Sequence, residues 1–179
     1  ALDAVHANTD WLIEAPERFT PTYIKPIMRE VDGKDIELNR MDIINRTLNP
    51  HQLNDHLAAH LREAITIYDG ILVVEQVKMD GYGCMSPLLR AILADIAKEN
   101  PGKIIIVDSR HFAAEYHNLS LKMNLAEAVA AAKHLDPSID NFDLSDSLSA
   151  AELSAELFWK AHQKPVFITL GDQGIAGIA

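Results

Sequence analysis

Three short, uninterrupted apolar runs constrain this chain more than any other feature. Ile71-Leu72-Val73-Val74, Ile104-Ile105-Ile106-Val107 and Val166-Phe167-Ile168-Thr169-Leu170 are too short for helices and lack the polar alternation of half-exposed strands. Runs of this kind are strands covered on both faces. Asn49-Pro50 supplies an N-cap and a first-turn proline, after which Leu53, Leu57, Leu61 and Ile65 recur on one helical face until about residue 67. Ser86-Pro87 opens a second helix with Leu89, Ile92, Leu93 and Ile96 on one side, and Asn100-Pro101-Gly102 stops it. Helix, strand, helix, strand is a βαβ rhythm, which predicts an α/β fold: a doubly wound, mostly parallel sheet with helices on both faces.

Around this core the organisation is simple. Residues 1–19 carry no clear period and read as a connection or the end of an earlier element. From Thr20 to Val31 the residues are β-formers, Asp32-Gly33 is a tight-turn signal, and Ile36, Leu38 and Met41 continue beyond it, so residues 20–45 are predicted to be a β-hairpin, with Pro26 at a sheet edge. Residues 46–179 form the α/β core. Within it, 109–124 reads as a loop with room for one short strand, Leu125 to Lys133 as an alanine-rich helix, and Ser149-x-x-Glu152 as a capping box ahead of a last helix reaching His162. Another apolar segment runs from Ile175 to Ala179.

Composition narrows the function. The 179 residues are 48% hydrophobic and 23% charged, which suits a packed globular core and not a disordered tail. With 16 Lys and Arg against 26 Asp and Glu, the formal net charge is −10, and no basic cluster offers a nucleic-acid groove or an anionic membrane contact. The apolar runs fall far short of the roughly 20 residues that span a bilayer. A single cysteine, Cys84, forms no internal disulfide, so a cytoplasmic location is the default.

In an open parallel sheet, ligands bind beyond the carboxyl ends of the strands. The segments there are Glu75 to Gly83, Asp108-Ser109-Arg110, and Gly171 to Gly174. Gly81-x-Gly83 lacks the third glycine of a dinucleotide loop, since Ser86 stands in its place, and no Walker-type phosphate loop occurs. His56 and His60, four apart, read as an exposed helix side, and Cys84 as a small loop thiol without a histidine partner. Glu75, Asp80 and Asp108 form a carboxylate set if the strand ends bring them together.

Two further stretches, Lys122-Met123-Asn124-Leu125-Ala126-Glu127 and Thr169-Leu170-Gly171-Asp172-Gln173-Gly174, complete an ordered set with Asp108-Ser109-Arg110. In order and spacing this set resembles the ribokinase-like (PfkB) carbohydrate kinases, which carry an Asn-x-x-Glu pair at a helix start and a Thr-x-Gly-x-x-Gly turn before a β-hairpin. The kinase half of ADP-heptose synthases is the most similar group: Lys25 to Asp42 resembles its lid hairpin, Asp108-Ser109-Arg110 its Asp-Pro-Lys, and Asp80-Gly81-Tyr82-Gly83 its Asp-Tyr-Gly loop with one glycine inserted. The resemblance implies an ATP-dependent sugar or sugar-phosphate kinase. Asn124 and Glu127 would organise Mg²⁺ and its waters, Thr169, Gly171 and Gly174 would approach the ATP phosphates, and Arg110 would neutralise charge. Lys25, Arg29 and Asp80 would serve the lid or the substrate, and the hairpin edge would pair two subunits in a homodimer.

The family's Gly-Ala-Gly-Asp motif, whose Asp is the catalytic base, and its amino-terminal Gly-Gly sugar site have no counterpart in these residues. The resemblance places the base beyond Ala179 and much of the sugar site before Ala1, so no catalytic residue is assigned within the chain. The expectation is therefore a middle segment of a kinase domain, inactive by itself. Two alternatives stay open: a kinase-like scaffold that binds nucleotide or a partner subunit without catalysis, and a small nucleotide-binding domain of the dehydrogenase type.

Overall fold

Four parallel strands laid down in chain order organise the molecule. The computed structural model describes residues 2–141 and 145–179; Ala1 of the leading connection and residues 142–144 of the core lie outside them. The elements are β1 (Thr22–Ile24), β2 (Ile27–Arg29), β3 (Asp35–Glu37), β4 (Met41–Ile43), α1 (His51–Ile67), β5 (Gly70–Glu75), α2 (Pro87–Glu99), β6 (Ile104–Ser109), β7 (Ser120–Asn124), α3 (Leu125–Leu135), α4 (Ser147–His162), β8 (Val166–Thr169) and β9 (Ile175–Ile178). The main sheet runs β5-β6-β7-β8-β9, with β5 to β8 parallel and β9 antiparallel to β8. The chain is thus α/β with a mostly parallel central sheet.

The register explains where the helices go. The crossovers from β5 to β6 and from β7 to β8 step in the same direction across the sheet, and with the right-handed connection that such units favour this places α2, α3 and α4 on one face, where they share a core. Val73, Ile105, Val107, Leu121, Met123, Val166 and Ile168 point to that face and form the core with Leu89, Leu93 and Ile96 of α2, Ala128 and Ala132 of α3, and Ala151, Ala155 and Phe158 of α4. The opposite face carries Leu72, Val74 and Ile104, which are 68%, 48% and 63% exposed. The expected second layer of helices is therefore not found among the described residues. The apolar runs are continuous because both faces are apolar, but only one of them is covered here.

The connection between β6 and β7 holds a buried strand where one short strand had only been allowed for. β7 registers Leu121 against Val107 and Val166, and Leu121 and Met123 are wholly buried. The segment from Ile175 is the strand β9, which pairs Ile175 with Thr169 and Ile178 with Val166 and leaves Ala179 exposed just past its end. Two helix starts differ from expectation. Asn49 does not cap α1; its side-chain amide donates to the Gly83 carbonyl at 2.7 Å, and Pro50 occupies the cap position. On α4 the cap is Asp146, which accepts from the Ser149 amide at 2.8 Å, so Ser149 sits inside the first turn and Glu152 forms no box with it.

The hairpin is present, in two short antiparallel ladders. β1 pairs β4 from Thr22↔Ile43 to Ile24↔Met41, and β2 pairs β3 from Ile27↔Glu37 to Arg29↔Asp35. Between them two residues, Lys25 and Pro26, oppose three, Leu38 to Arg40, which is a bulge. Pro26 has no N–H to give to a ladder, and its carbonyl instead accepts from Leu38 at 2.9 Å. Gly33 closes the tip at φ 86°, a conformation that favours glycine.

Among the described residues no histidine belongs to a group of three or more metal-ligating side chains. His56 is exposed, while His60 packs edge-on against Trp11 with ring centroids 5.3 Å apart. His162, at the end of α4, lies 5.1 Å from the His117 ring. Burial, then the neighbouring His117, holds the His162 pKa below the ordinary imidazole value. The folded state therefore binds a proton less readily than the unfolded chain, so this contribution to stability is intact above about pH 6.5 and is lost as pH falls toward the folded pKa. Urea midpoints of the wild type should decline across that acid window, and His162→Gln should flatten the decline; an unchanged slope refutes the assignment. The one-sided core makes a second prediction for the same measurement. Met123→Ala should cost about 2–5 kcal/mol, whereas Leu72→Ala should fall within about 0.5 kcal/mol.

Candidate functional site

The carboxyl ends of β5, β6 and β7 open into a cleft of about 690 Å³. Its walls are Gln76 to Met79 after β5, Arg110 and His111 after β6, and Asn124, Ala126 and Glu127 at the start of α3; Tyr23, Arg40, Asp42 and Ile44 of the hairpin stem form the roof. The hairpin is held over the cleft by definite bonds. The Tyr23 hydroxyl donates to the Gln76 carbonyl at 3.3 Å, and Arg40 stacks on the Tyr23 ring at 4.9 Å while pairing with Asp42 at 2.7 Å. At the hairpin base, buried Asn45 exchanges two bonds with the Phe19 backbone, and Arg18 donates to the carbonyls of Thr47, Leu48 and Tyr82.

Of the residues singled out from the sequence, Arg110, Asn124 and Glu127 come together in this cleft. Asn124 and Glu127 make a reciprocal capping box: the Glu127 amide donates to Asn124 Oδ1 at 2.9 Å, and the Asn124 amide donates to Glu127 Oε2 at 2.9 Å. The Arg110 guanidinium forms no hydrogen bond or ion pair among the described residues; only its backbone amide is engaged, with the Glu75 carbonyl at 3.2 Å. Thr169 registers directly opposite Asn124, and its hydroxyl donates to the Met123 carbonyl at 3.4 Å. It lies one strand over and does not line the cleft. Gly171 and Gly174, at φ 64° and 98°, shape the turn into β9, closed by the Leu170 amide on the Gly174 carbonyl at 2.8 Å. Ala179, after β9, lines no part of the cleft either.

Other candidates are occupied elsewhere. Lys25 pairs with Glu37 at 3.2 Å, and Arg29 grips both oxygens of Asp35 at 2.7 and 2.9 Å, so both cations act across the hairpin ladder. In the second pair each charge favours the other: Asp35 holds the Arg29 pKa up, and Arg29 holds the Asp35 pKa down. The proposed carboxylate set converges only in part: Glu75 and Asp80 meet on Arg90, and Asp108 does not join them. Asp108 points to the open face of the sheet and pairs with Lys122 at 2.9 Å, whereas Glu75 and Asp80 point toward α2. Strand alternation separates Asp108 from Glu75, since register partners Val74 and Asp108 share a face that Glu75 does not.

Glu75 and Asp80 belong to a buried network centred on Arg90, which the helical pattern did not bring forward. Arg90 Nη1 donates to Glu75 Oε1 at 3.0 Å, and Nη2 donates to Asp80 and to Glu115. Glu75 Oε2 also accepts from the hydroxyls of Ser109 at 2.7 Å and Tyr116 at 3.0 Å, and the guanidinium lies over the Phe112 ring at 4.7 Å. Arg90 and Glu75 are only 3% and 4% exposed. Desolvation pulls the Arg90 pKa down, but the carboxylates of Asp80, Glu75 and Glu115 outweigh it and the net shift is upward. Burial and then the Glu75 charge push the Tyr116 hydroxyl far above its usual range, which keeps it a donor. The signal was available: Arg90 interrupts the α2 face that carries Ser86, Leu89, Leu93 and Ala97, and Glu75 extends the inward series Ile71, Val73.

The remaining motifs are structural. Ser86 caps α2 by accepting from the Leu89 amide at 3.3 Å, and a Cβ on Gly83 would come within 2.9 Å of Val77, so the Gly81-x-Gly83 loop is folded back on itself and not spread around a pyrophosphate. Desolvation and the Glu75 charge raise the Cys84 thiol pKa, which opposes a nucleophilic thiolate. No group of three or more metal-ligating side chains occurs among the described residues, and no helix among them is long and apolar enough to cross a membrane. Comparison of the chain with protein-family models, curated proteins and solved structures finds no match.

Removing one partner of a buried pair leaves the other charge uncompensated. Arg90→Met should therefore destabilise the fold by about 3–5 kcal/mol in urea unfolding, because Glu75 stays buried without its cation. Asp108→Asn, on the half-buried pair with Lys122 at the open face of the sheet, should change stability by about 1 kcal/mol or less, well below the Arg90 effect.

Proposed function

We propose that this chain forms part of an ATP-dependent sugar or sugar-phosphate kinase of the ribokinase-like type, in which the cleft beneath the hairpin receives the phosphates. One observation carries the proposal: an unpaired arginine, Arg110, faces the amino terminus of α3 across a cleft roofed by a hairpin. Arginine and the first-turn N–H groups of a helix both favour phosphate oxygens. Lys78, on the same wall, adds a second cation with no partner among the described residues.

The donor set suits magnesium only as part of a nucleotide complex. Asp42 is tied to Arg40, so Glu127 is the carboxylate left to face the cleft, with Asn124 beside it. Mg²⁺ keeps several waters and takes few protein ligands when phosphates supply the rest, so Glu127 would hold it through one carboxylate oxygen or a bound water. Mg-ATP supplies the transferable phosphoryl group and the charge neutralisation. The acceptor hydroxyl needs a base, and in this reading the base belongs to the Gly-Ala-Gly-Asp motif that the resemblance implies, which none of the cleft residues supplies.

The wider architecture follows the same reading. The uncovered face with Leu72, Val74 and Ile104 is where a doubly wound parent domain would place its second layer. Ile27, Met28 and Val31, exposed on the hairpin, support a homodimer formed through the lid. A cytoplasmic setting fits a kinase that draws on ATP. The capping box favours a second reading, in which Asn124 and Glu127 only start a helix and the chain is a binding scaffold without phosphoryl transfer.

Titration of ATP by calorimetry, with and without magnesium, separates the two. Glu127→Gln is the informative variant, because Gln also serves at the third position of a capping box while removing the charge. In the kinase reading magnesium strengthens ATP binding, Glu127→Gln abolishes that gain, and Arg110→Ala weakens binding by about tenfold or more. ATP affinity indifferent to magnesium, to Glu127 and to Arg110 overturns it.

A further inference from the structure

We propose that Arg90 is a positioning residue for the cleft, setting the seat of the hairpin roof through Asp80. The observations form one chain of contacts. The segment 76–83, between β5 and α2, accepts one bond from the hairpin and one from the residues leading into it: Tyr23 Oη on the Gln76 carbonyl, and Arg18 Nη2 on the Tyr82 carbonyl at 2.9 Å. Within the segment the Tyr82 amide bonds the Met79 carbonyl at 3.2 Å and Gly83 packs on Val77; its remaining holds come from outside. Asn49 binds its far end, with its backbone amide on Gly81 at 3.0 Å and its side chain on Gly83. In the middle, the Asp80 side chain reaches inward to Arg90.

Arg90 can hold Asp80 in one place because it is itself fixed. Its Nη1 is committed to buried Glu75, its central carbon lies over the Phe112 ring, and α2 supports its stem. A forked, planar cation clamped on one side presents its remaining N–H groups in a set direction, which a lysine ammonium does not reproduce. Glu115, from the turn after β6, takes a bond from the same Nη2, so the two loops that flank the cleft are drawn to a single atom. Both carboxylates are partly exposed, which leaves them able to part from Arg90 without unfolding the core.

The test reads the protein's four tyrosines, Tyr23, Tyr68, Tyr82 and Tyr116, by fluorine NMR after 3-fluorotyrosine labelling. Tyr23 reports the roof, Tyr82 the segment and Tyr116 the network. Tyr68 bonds Trp11 at the far end of β5 and serves as the internal control. Asp80→Asn should move the Tyr82 and Tyr23 resonances, Arg90→Lys should move those two together with Tyr116, and Tyr68 should stay in place in both; Asp80→Glu should restore the Tyr23 position at least in part. A Tyr23 resonance unmoved by Asp80→Asn overturns the inference, as does movement of Tyr68 equal to that of Tyr23, which would mean a general loosening. The inference rests on the kinase reading only in treating the hairpin as a roof over a working cleft. Because the spectra are recorded without nucleotide, a failure of ATP to bind sinks that reading and leaves this one standing.

Discussion

The parallel, in-register ladder from β5 to β8 is the constraint from which the rest follows. Parallel neighbours in chain order force every connection to return across the same face, so helices accumulate on one side and all strand-to-helix turns emerge at one edge. Glu75, Ser109 and Asn124 close β5, β6 and β7 at that edge, which is why residues far apart in sequence meet there. The hairpin needs only two anchor points on this edge to become a roof. A cleft between a rigid parallel edge and a lightly attached ribbon is a geometry that can bind a ligand and still release it.

A buried guanidinium surrounded by three carboxylates is an unusual interior for so small a core. Desolvating Arg90 and Glu75 is expensive, and an apolar pair of similar volume would often stabilise a fold as well or better. The arrangement makes sense as specification of position. Glu75 alone satisfies three donors from α2, β6 and the turn at Tyr116, so it fixes the relative placement of those elements in a way that interchangeable methyl groups do not.

Much of the fold was legible, and the failures have physical causes. The runs at 71–74, 104–107 and 166–170 declared themselves because they carry apolar residues toward both faces of the sheet. β7 did not, since Lys122 interrupts it and its inward pair, Leu121 and Met123, is too short to establish a period. The α4 start was misplaced because Asp146, Ser147 and Ser149 all have cap chemistry, and only the backbone decides which is used. The assumption of cover on both faces treated apolar character as proof of burial; Leu72 and Ile104 show that the inference needs a neighbour as well as a residue. At the site, Arg110 was legible because it follows the end of the apolar run at 104–107, whereas Asn124 and Glu127 stood out only through the family resemblance, since β7 is not marked by its own pattern. Glu75 and Arg90 were visible as polar residues on apolar faces, yet their pairing depends on the β5–α2 crossover, which no local pattern records.

The charge distribution gives the cleft its character. A protein of net charge −10 repels anions at long range, but within the roughly 8 Å over which salt screens, only local groups matter. Here the carboxylates nearest the edge are already committed: Asp42 to Arg40, Asp80 and Glu115 to Arg90, Asp108 to Lys122. Arg110 and Lys78 are left on the cleft wall without partners among the described residues, beside the positive end of the α3 dipole. Glu127 stands opposite them, already turned toward the Asn124 amide. A phosphate entering this cleft therefore meets cations before it meets a free carboxylate, and a cation entering alone meets only one. That asymmetry makes the local field at this edge more favourable to an anion, or to a metal carried by one, than the net charge of the protein suggests.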